Sequence, residues 1–278
     1  MRPHIHPTAI VESGAELGGG VKVGPFCHVG DGAFVGDGTE LVAQVTVVGP
    51  TRIGSGCRIF PFAALGLPPQ DRSWAGESTG LEIGDDCILR EQVTIHRGTA
   101  KGGGTTRIGS RCLLMVGVHV AHDCQLADDL VLGNLTTLGG GVLVNGNVVT
   151  GSHVSVAPFV RVWRASLLAG GAMVERDVPP FTVVAGDRAR VRGINLVGLR
   201  RMGVAPASRK ALGRAYRRLW RSDLPMLRAL EAVEREFGSD AYVAELTSAL
   251  RACMARPQIA LPSRPSLVPG GGVRGRTA

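Results

Sequence analysis

Aromatic residues are scarce, 4% of a 278-residue chain. That excludes an ordinary globular core of stacked Phe and Trp and leaves the packing to aliphatic side chains. No uninterrupted apolar run approaches the ~18 residues that a membrane-spanning helix needs. The opening MRPHIHPTAIVESG lacks the apolar stretch of a secretory signal, so no stable membrane insertion is expected. The cysteines at 27, 57, 87, 112, 124 and 253 never form a CxxC pair, which argues against a zinc knuckle or a thiol-redox motif. Isolated thiols in apolar surroundings suit a reducing compartment, and a cytoplasmic location is expected. No Walker or Rossmann loop occurs, so no nucleotide cofactor is implied, and neither a resident metal nor a nucleic-acid partner is expected.

Glycine is plentiful at 40 residues, and the net charge is +8. The charge is unevenly placed. Arg188 to Ala278 carries 18 Lys and Arg against 6 Asp and Glu, so a basic C-terminal segment follows a mildly acidic body. That asymmetry points to an anionic partner.

A period of six organises the body. Ile5, Val11, Leu17, Val23, Val29, Val35, Leu41, Val47, Ile53, Ile59 and Leu65 follow at constant spacing. Asp71 and Glu77 break the series, which resumes in phase at Ile83, Leu89 and Ile95. A second series runs from Ile108 through Leu114, Val120, Leu126, Leu132, Leu138, Val144, Thr150, Val156, Val162 and Leu168 to Val174. Six is a multiple of the strand period and not of the helical one. Short strands, each with one inward aliphatic and a turn where Gly is favoured, predict a left-handed parallel β-helix of about ten triangular coils. A β-sandwich has no reason to hold this phase.

Two stretches leave the repeat, one from Gly66 to Glu82 and one in the thirteen-residue step from Ile95 to Ile108, both expected as external loops. The repeat is expected to end at Pro179-Pro180, since proline stops strand pairing. Helices are expected over Pro206–Arg221, over Leu224–Phe237 with Pro225 at its start, and over Ser239–Arg256 with Ser239 as N-cap. The mainly β chain thus divides into a β-helix at 1–187, a small α-helical domain at 188–256 and a tail at 257–278 expected to be disordered.

The segment VHVAHDC, Val118 to Cys124, is the best candidate for chemistry. With Val120 inward, His119 and His122 should face outward or into the turn. A histidine suits general-base work near neutral pH, and the adjoining Asp123 is placed to support it. One coil on, Gly139-Gly140-Gly141 should stack over His122, leaving space for a ligand and a backbone N–H for an oxyanion. The alternative is a surface histidine beside a patch of turn glycines. His96 alone reads as a surface histidine, and His4, His6, His28 and His153 as structural. A metal shared by His96, His119 and His122 is a further alternative, with water as a fourth ligand.

The segments HPTAIVESGA, VGPFCHVG, QDRSWAGESTG, REQVTIHRGT, LLMVGVHVAHDC, DVPP and GINLVGLRRMG resemble, in this order, the UDP-N-acetylglucosamine O-acyltransferases of lipid A biosynthesis. The resemblance implies an enzyme that moves a 3-hydroxyacyl chain from acyl carrier protein to the sugar 3-hydroxyl. It also implies a homotrimer with active sites between neighbouring β-helices and no cofactor beyond the carrier thioester. By the same resemblance His122 is the general base, Asp123 orients it, and Gly140 supplies the oxyanion N–H. Gln70, Asp71, His96, His119, Asn195 and Arg201 match substrate-binding positions. Gly170 matches the position that limits acyl length, and glycine there implies a longer chain. The basic helical segment resembles the surface that receives the carrier protein. The family pattern is broken at Ser73, Gly141, Ala157, Pro158, Arg188, Val197 and Met202. Acyl transfer to another nucleotide sugar, such as a 3-amino analogue, is therefore the alternative acceptor reading. A non-catalytic or metal-binding hexapeptide-repeat protein, for example of carbonic-anhydrase type, is the alternative from another class.

Overall fold

The computed structural model describes residues 1–256. The tail expectation at 257–278 lies outside the described residues. Strands of mostly two residues recur at the predicted spacing and assemble into three parallel sheets of 11, 9 and 8 strands. Each strand pairs with strands one coil away, as in Ile5↔Val23, Val11↔Val29 and Leu17↔Val35. The three sheets are the faces of a left-handed parallel β-helix.

The aliphatic positions of the six-residue series point inward. From Val29 through Leu65 they are completely buried, whereas Ile5 on the open first coil is 45% exposed. A second buried column stands two residues earlier in each repeat and holds Val21, Cys27, Cys57, Ala63, Cys87, Val93, Cys112, Val118 and Cys124. Five of the six isolated cysteines are thus small core residues, and all six are free thiols.

Corners refine the expectation about glycine. Much of the positive-φ backbone belongs to other residues, among them Phe26, Phe62, Asp123 and Phe159. A glycine that follows the aliphatic position serves a different need. A Cβ on Gly36 would lie 2.6 Å from the carbonyl carbon of Gly54 on the next coil, so close backbone stacking demands the missing side chain there.

Both excursions return in register. Ile83, which follows the first, pairs with Ile53 on one side and with Ile108, which follows the second, on the other. The second loop contains a single 3-10 turn, Ala100–Gly102. The prolines at 179 and 180 do not end the sheet. Thr182–Ala185 still pairs parallel with Leu167–Leu168, and Arg190–Ile194 adds one antiparallel strand. The prolines precede the strand, where no ladder N–H is required of them.

Four helices follow. α1 (Leu196–Arg201) was not anticipated, because six residues carry too little periodicity to see. α2 (Pro206–Trp220), α3 (Met226–Phe237) and α4 (Ala241–Met254) lie within the three expected spans. Pro225 is the N-cap of α3. Asp240, not Ser239, caps α4, accepting from the N–H groups of Tyr242 and Val243. α4 is fastened to the last coils at both ends. Glu245 accepts a bidentate pair of hydrogen bonds from Arg164 at 2.6 Å each. Beyond its C-terminus Arg256 donates to the fully buried Asp177 at 2.8 Å and to the carbonyl of Phe159 at 3.0 Å. Among the described residues no helix is long and apolar enough to cross a membrane.

Candidate active site

The strand His119–Val120 belongs to the nine-stranded sheet, and the chain turns a corner immediately after it. Val120 and Cys124 are buried in the core and fix the ends of that corner. His122 and Asp123 occupy it, with Asp123 at φ 63°. The two side chains meet, His122 Nδ1 lying 2.7 Å from Asp123 Oδ2. A carboxylate can only accept, so Nδ1 carries the proton and Nε2 keeps its lone pair.

Asp123 is held from all sides. Its side chain is only 8% exposed. Thr99 donates its backbone N–H to Oδ1 and its hydroxyl to Oδ2, each at 2.7 Å. The N–H of Asp123 itself donates to Thr106 Oγ1 at 2.8 Å. Thr99 also caps the 3-10 turn through Gly102 N–H. A Cβ on Gly102 would lie 1.9 Å from the Asp123 carboxyl carbon, so glycine is required where the loop wraps the carboxylate. Sequence reasoning missed Thr99, Gly102 and Thr106. The available signal was the extra residue in the step from Ile95 to Ile108, which marked a loop but not where it folds.

The glycine run stacks where the coil count placed it. Gly141 N–H donates to the carbonyl of His122 at 2.9 Å. A Cβ on Gly140 would lie 2.7 Å from His122 Cε1 and 2.9 Å from Nε2. Gly139 and Gly141 donate their N–H groups to neighbouring coils. Among the described residues no acceptor is paired with the N–H of Gly140. A lone-pair nitrogen and an unspent N–H therefore lie close together on one corner. That combination can take a proton from a hydroxyl and stabilise an oxyanion.

The other candidates lie around this corner in different degrees. The rings of His96 and His119 stand edge to face with centroids 5.4 Å apart. His96 is not a surface histidine: it is buried, with its Nδ1 2.6 Å from the carbonyl of Pro68, while His119 Nδ1 is 2.8 Å from Thr94 Oγ1. Burial, and secondarily His96, pushes the His119 pKa below its ordinary value. Asp71 accepts from the N–H and the hydroxyl of Ser73, which hold its carboxyl below the usual range, with Lys101 and His122 adding their positive ends. Gln70 is exposed in the same loop. Asn195 is buried and engaged at both ends, Oδ1 capping α1 at Gly198 N–H and Nδ2 donating to the carbonyl of Ala165. Arg201 is exposed in the last turn of α1. Gly170 is exposed, in the corner before the strand Met173–Val174. Among the described residues no three His, Cys, Asp or Glu side chains converge as a metal site. The concave face lined by Phe34, Arg52, Glu82, Arg107 and Asp128 contains none of His96, His119 and His122.

The sequence profile described as UDP N-acetylglucosamine O-acyltransferase, domain 2, matches residues 177–257. The chain is 39% identical over 232 residues to the acyl-[acyl-carrier-protein]–UDP-N-acetylglucosamine O-acyltransferase of Thermodesulfovibrio yellowstonii, covering 84% of this chain and 90% of the relative. It is 41% identical over 235 residues to the enzyme of the same name from Synechocystis, covering 84% and 85%. The crystal structure of the UDP-N-acetylglucosamine acyltransferase from Bacteroides fragilis superposes with a TM-score of 0.86 at 34% identity, over 89% of this chain and 96% of that one. The Francisella novicida enzyme gives 0.88 at 32%, over 94% and 95%.

Proposed function

The chain belongs to the family of acyl-[acyl-carrier-protein]–UDP-N-acetylglucosamine O-acyltransferases, and we propose that it carries out that transfer in lipid A biosynthesis with His122 as general base. The observation that carries the assignment of the base is the 2.7 Å bond between His122 Nδ1 and Asp123, which leaves Nε2 free beside Gly140. In the reaction Nε2 takes the proton of the sugar 3-hydroxyl as its oxygen attacks the thioester carbonyl. The new C–O bond places negative charge on the former carbonyl oxygen, which Gly140 N–H receives. Collapse breaks the C–S bond, and the imidazolium returns the proton to the departing thiolate of the carrier. The products are the O-acyl sugar nucleotide and the free carrier thiol, with no cofactor consumed.

Gly170 then acts as the far end of a ruler. The strand Met173–Val174 lies three coils beyond His119–Val120 in the same sheet. At ~4.8 Å per coil the two strands are about 14 Å apart along the axis; Gly170 precedes its strand and His122 follows its own, so an acyl chain starting at His122 crosses the sheet face from one corner to the other. Gln70, Asp71, His96 and His119 surround the sugar. Asn195 sets the entry of α1, and Arg201 offers the uridine diphosphate a cation. His122 lies on an outer corner of the single chain, so we assign the other wall of its cleft to a neighbour in a homotrimer. The basic helices receive the acidic carrier protein, and the buried free thiols fit the cytoplasm.

The test is an assay of purified protein with UDP-N-acetylglucosamine and hydroxyacyl carrier proteins of several lengths, wild type beside His122→Ala. Turnover by wild type and a loss of about 10²–10⁴-fold in the variant are expected. Near-full activity of His122→Ala with unchanged thermal stability would remove the base from His122.

A further inference from the structure

Only three of the 31 basic residues are lysines, Lys22, Lys101 and Lys210. Lys101 stands in the 3-10 turn whose cap, Thr99, holds the carboxylate of Asp123. Its backbone position is therefore tied to the catalytic pair. Its side chain crosses to the other loop, where Nζ donates to Ser73 Oγ at 2.6 Å. The same hydroxyl donates to Asp71 Oδ1 at 2.8 Å, so Ser73 is oriented to accept from the lysine. Asp71 feels both Lys101 and His122 electrostatically, so the ammonium and the imidazole both lie near this carboxylate.

An ammonium has three N–H donors, and Ser73 uses one. Among the described residues no carboxylate forms an ion pair with this ammonium, although Asp71 and Glu77 feel its charge from farther away. The other cation of this turn is differently placed. Arg97 donates to the carbonyl of Gly49 at 2.8 Å and lies over the ring of Trp74, so its guanidinium is already engaged by the protein. In a nucleoside diphosphate sugar the anionic charge begins on C1, across one sugar ring from the hydroxyl that must reach His122. A cation on the loop that wraps Asp123, held by a neutral hydroxyl, is suited to that charge.

We propose that Lys101 binds the diphosphate of the sugar-nucleotide acceptor, with Ser73 positioning its ammonium. This rests on the acceptor reading above and adds a residue to it.

The test compares Lys101→Gln, Lys101→Arg and Ser73→Ala with wild type in steady-state kinetics, varying sugar nucleotide and acyl carrier protein separately. Loss of a charge-assisted contact should raise KM for the sugar nucleotide about 10–100-fold in Lys101→Gln, with KM for the carrier unchanged. Lys101→Arg should recover part of the loss, since charge is kept and geometry is not. Ser73→Ala keeps the charge but removes its anchor, so it should raise KM for the sugar nucleotide about 3-fold, well short of the loss in Lys101→Gln. If Ser73→Ala were as damaging as Lys101→Gln, the lysine would be a clasp between loops and the proposal would fall. An unchanged sugar-nucleotide KM in Lys101→Gln would overturn it outright. Absence of turnover by wild type would instead overturn the acceptor reading, and this proposal with it.

Discussion

Asp123→Asn changes one atom of the site and nearly nothing of its shape, and the structure dictates how the amide must sit. Oδ1 accepts the backbone N–H of Thr99 at 2.7 Å, and an NH2 group cannot replace an acceptor there. The asparagine oxygen therefore faces Thr99 N–H, and the NH2 takes the place of Oδ2, 2.7 Å from His122 Nδ1. Nδ1 must now accept, so the ring proton moves to Nε2. The nitrogen beside Gly140 loses the lone pair that a base requires. The same tautomer inversion in a serine-protease triad lowers kcat by about 10⁴-fold, or about 5 kcal/mol of barrier. A smaller cost falls on stability. Thr99 Oγ1 already accepts from Gly102 N–H at 3.1 Å and would meet a second donor, leaving its own proton without an acceptor. One stranded buried polar group costs about 1–3 kcal/mol. Transfer rates at saturating substrate, thermal denaturation and imidazole nitrogen resonances give the three readings. Retention of kcat within about tenfold of wild type, with the resonances showing Nε2–H, would refute the assignment of Nε2 as the catalytic base.

Gly140→Ala places a methyl group 2.7 Å from His122 Cε1, so the ring must swing away. The ring can move at little cost in stability, and kcat should fall at least about 10²-fold while the melting temperature changes little. A Cβ at Gly170 meets the Ser152 backbone, its oxygen at 3.4 Å and its nitrogen at 3.8 Å, so the side chain of Gly170→Met fits and fills the end of the ruler. The preferred acyl chain should shorten in a competition among carrier thioesters, and unchanged selectivity would place the ruler elsewhere. His119 has a folded pKa depressed below its ordinary 6.5. As pH falls through 6.5 the unfolded chain binds a proton that the folded one resists, so His119 contributes a loss of stability on that side and none above it. Urea midpoints measured from pH 8 downward should fall below 6.5, and His119→Gln should flatten that slope.

The coil was legible because its period is enforced by burial. A residue every six positions must be small and apolar to enter a triangular core, and Val29 to Leu65 show that constraint without exception. Coil arithmetic also placed Gly140 over His122 without any knowledge of side-chain direction. The loops were legible as interruptions and no further. Nothing in the order of TAKGGGTT announces that Thr99 turns its N–H and hydroxyl onto Asp123, because those bonds span 24 residues and depend on how the loop folds back. The corner residues were hidden for a different reason. Phe26, Phe62 and Phe159 adopt positive φ without being glycine, since the stacked coils on either side impose the turn. α1 was missed because six residues carry too little periodicity; its Asn195 cap is local, but its one buried side chain, Leu199, is fixed only by tertiary packing.

Why the chemistry sits on a corner follows from the hydrogen-bond ladder. Along each strand the N–H and carbonyl groups are consumed by the coils before and after, as Gly139 and Gly141 show on either side of Gly140. Of the two corner residues the second, such as Gly141, still donates to the coil before it, whereas the N–H of the first, Gly140, meets no acceptor among the described residues and is free for a ligand without weakening the sheet. The two loops extend the same logic. Each leaves the coil, places polar groups beside His122 and rejoins in register, so Ile53, Ile83 and Ile108 still stack as though nothing intervened. Site and scaffold are therefore separable. Substitutions at His122, Gly140 or Lys101 should change kinetics with little effect on the melting temperature. Inserting one residue into an uninterrupted coil, for example between Val144 and Val156, should do the reverse, since it turns every following inward side chain to the surface.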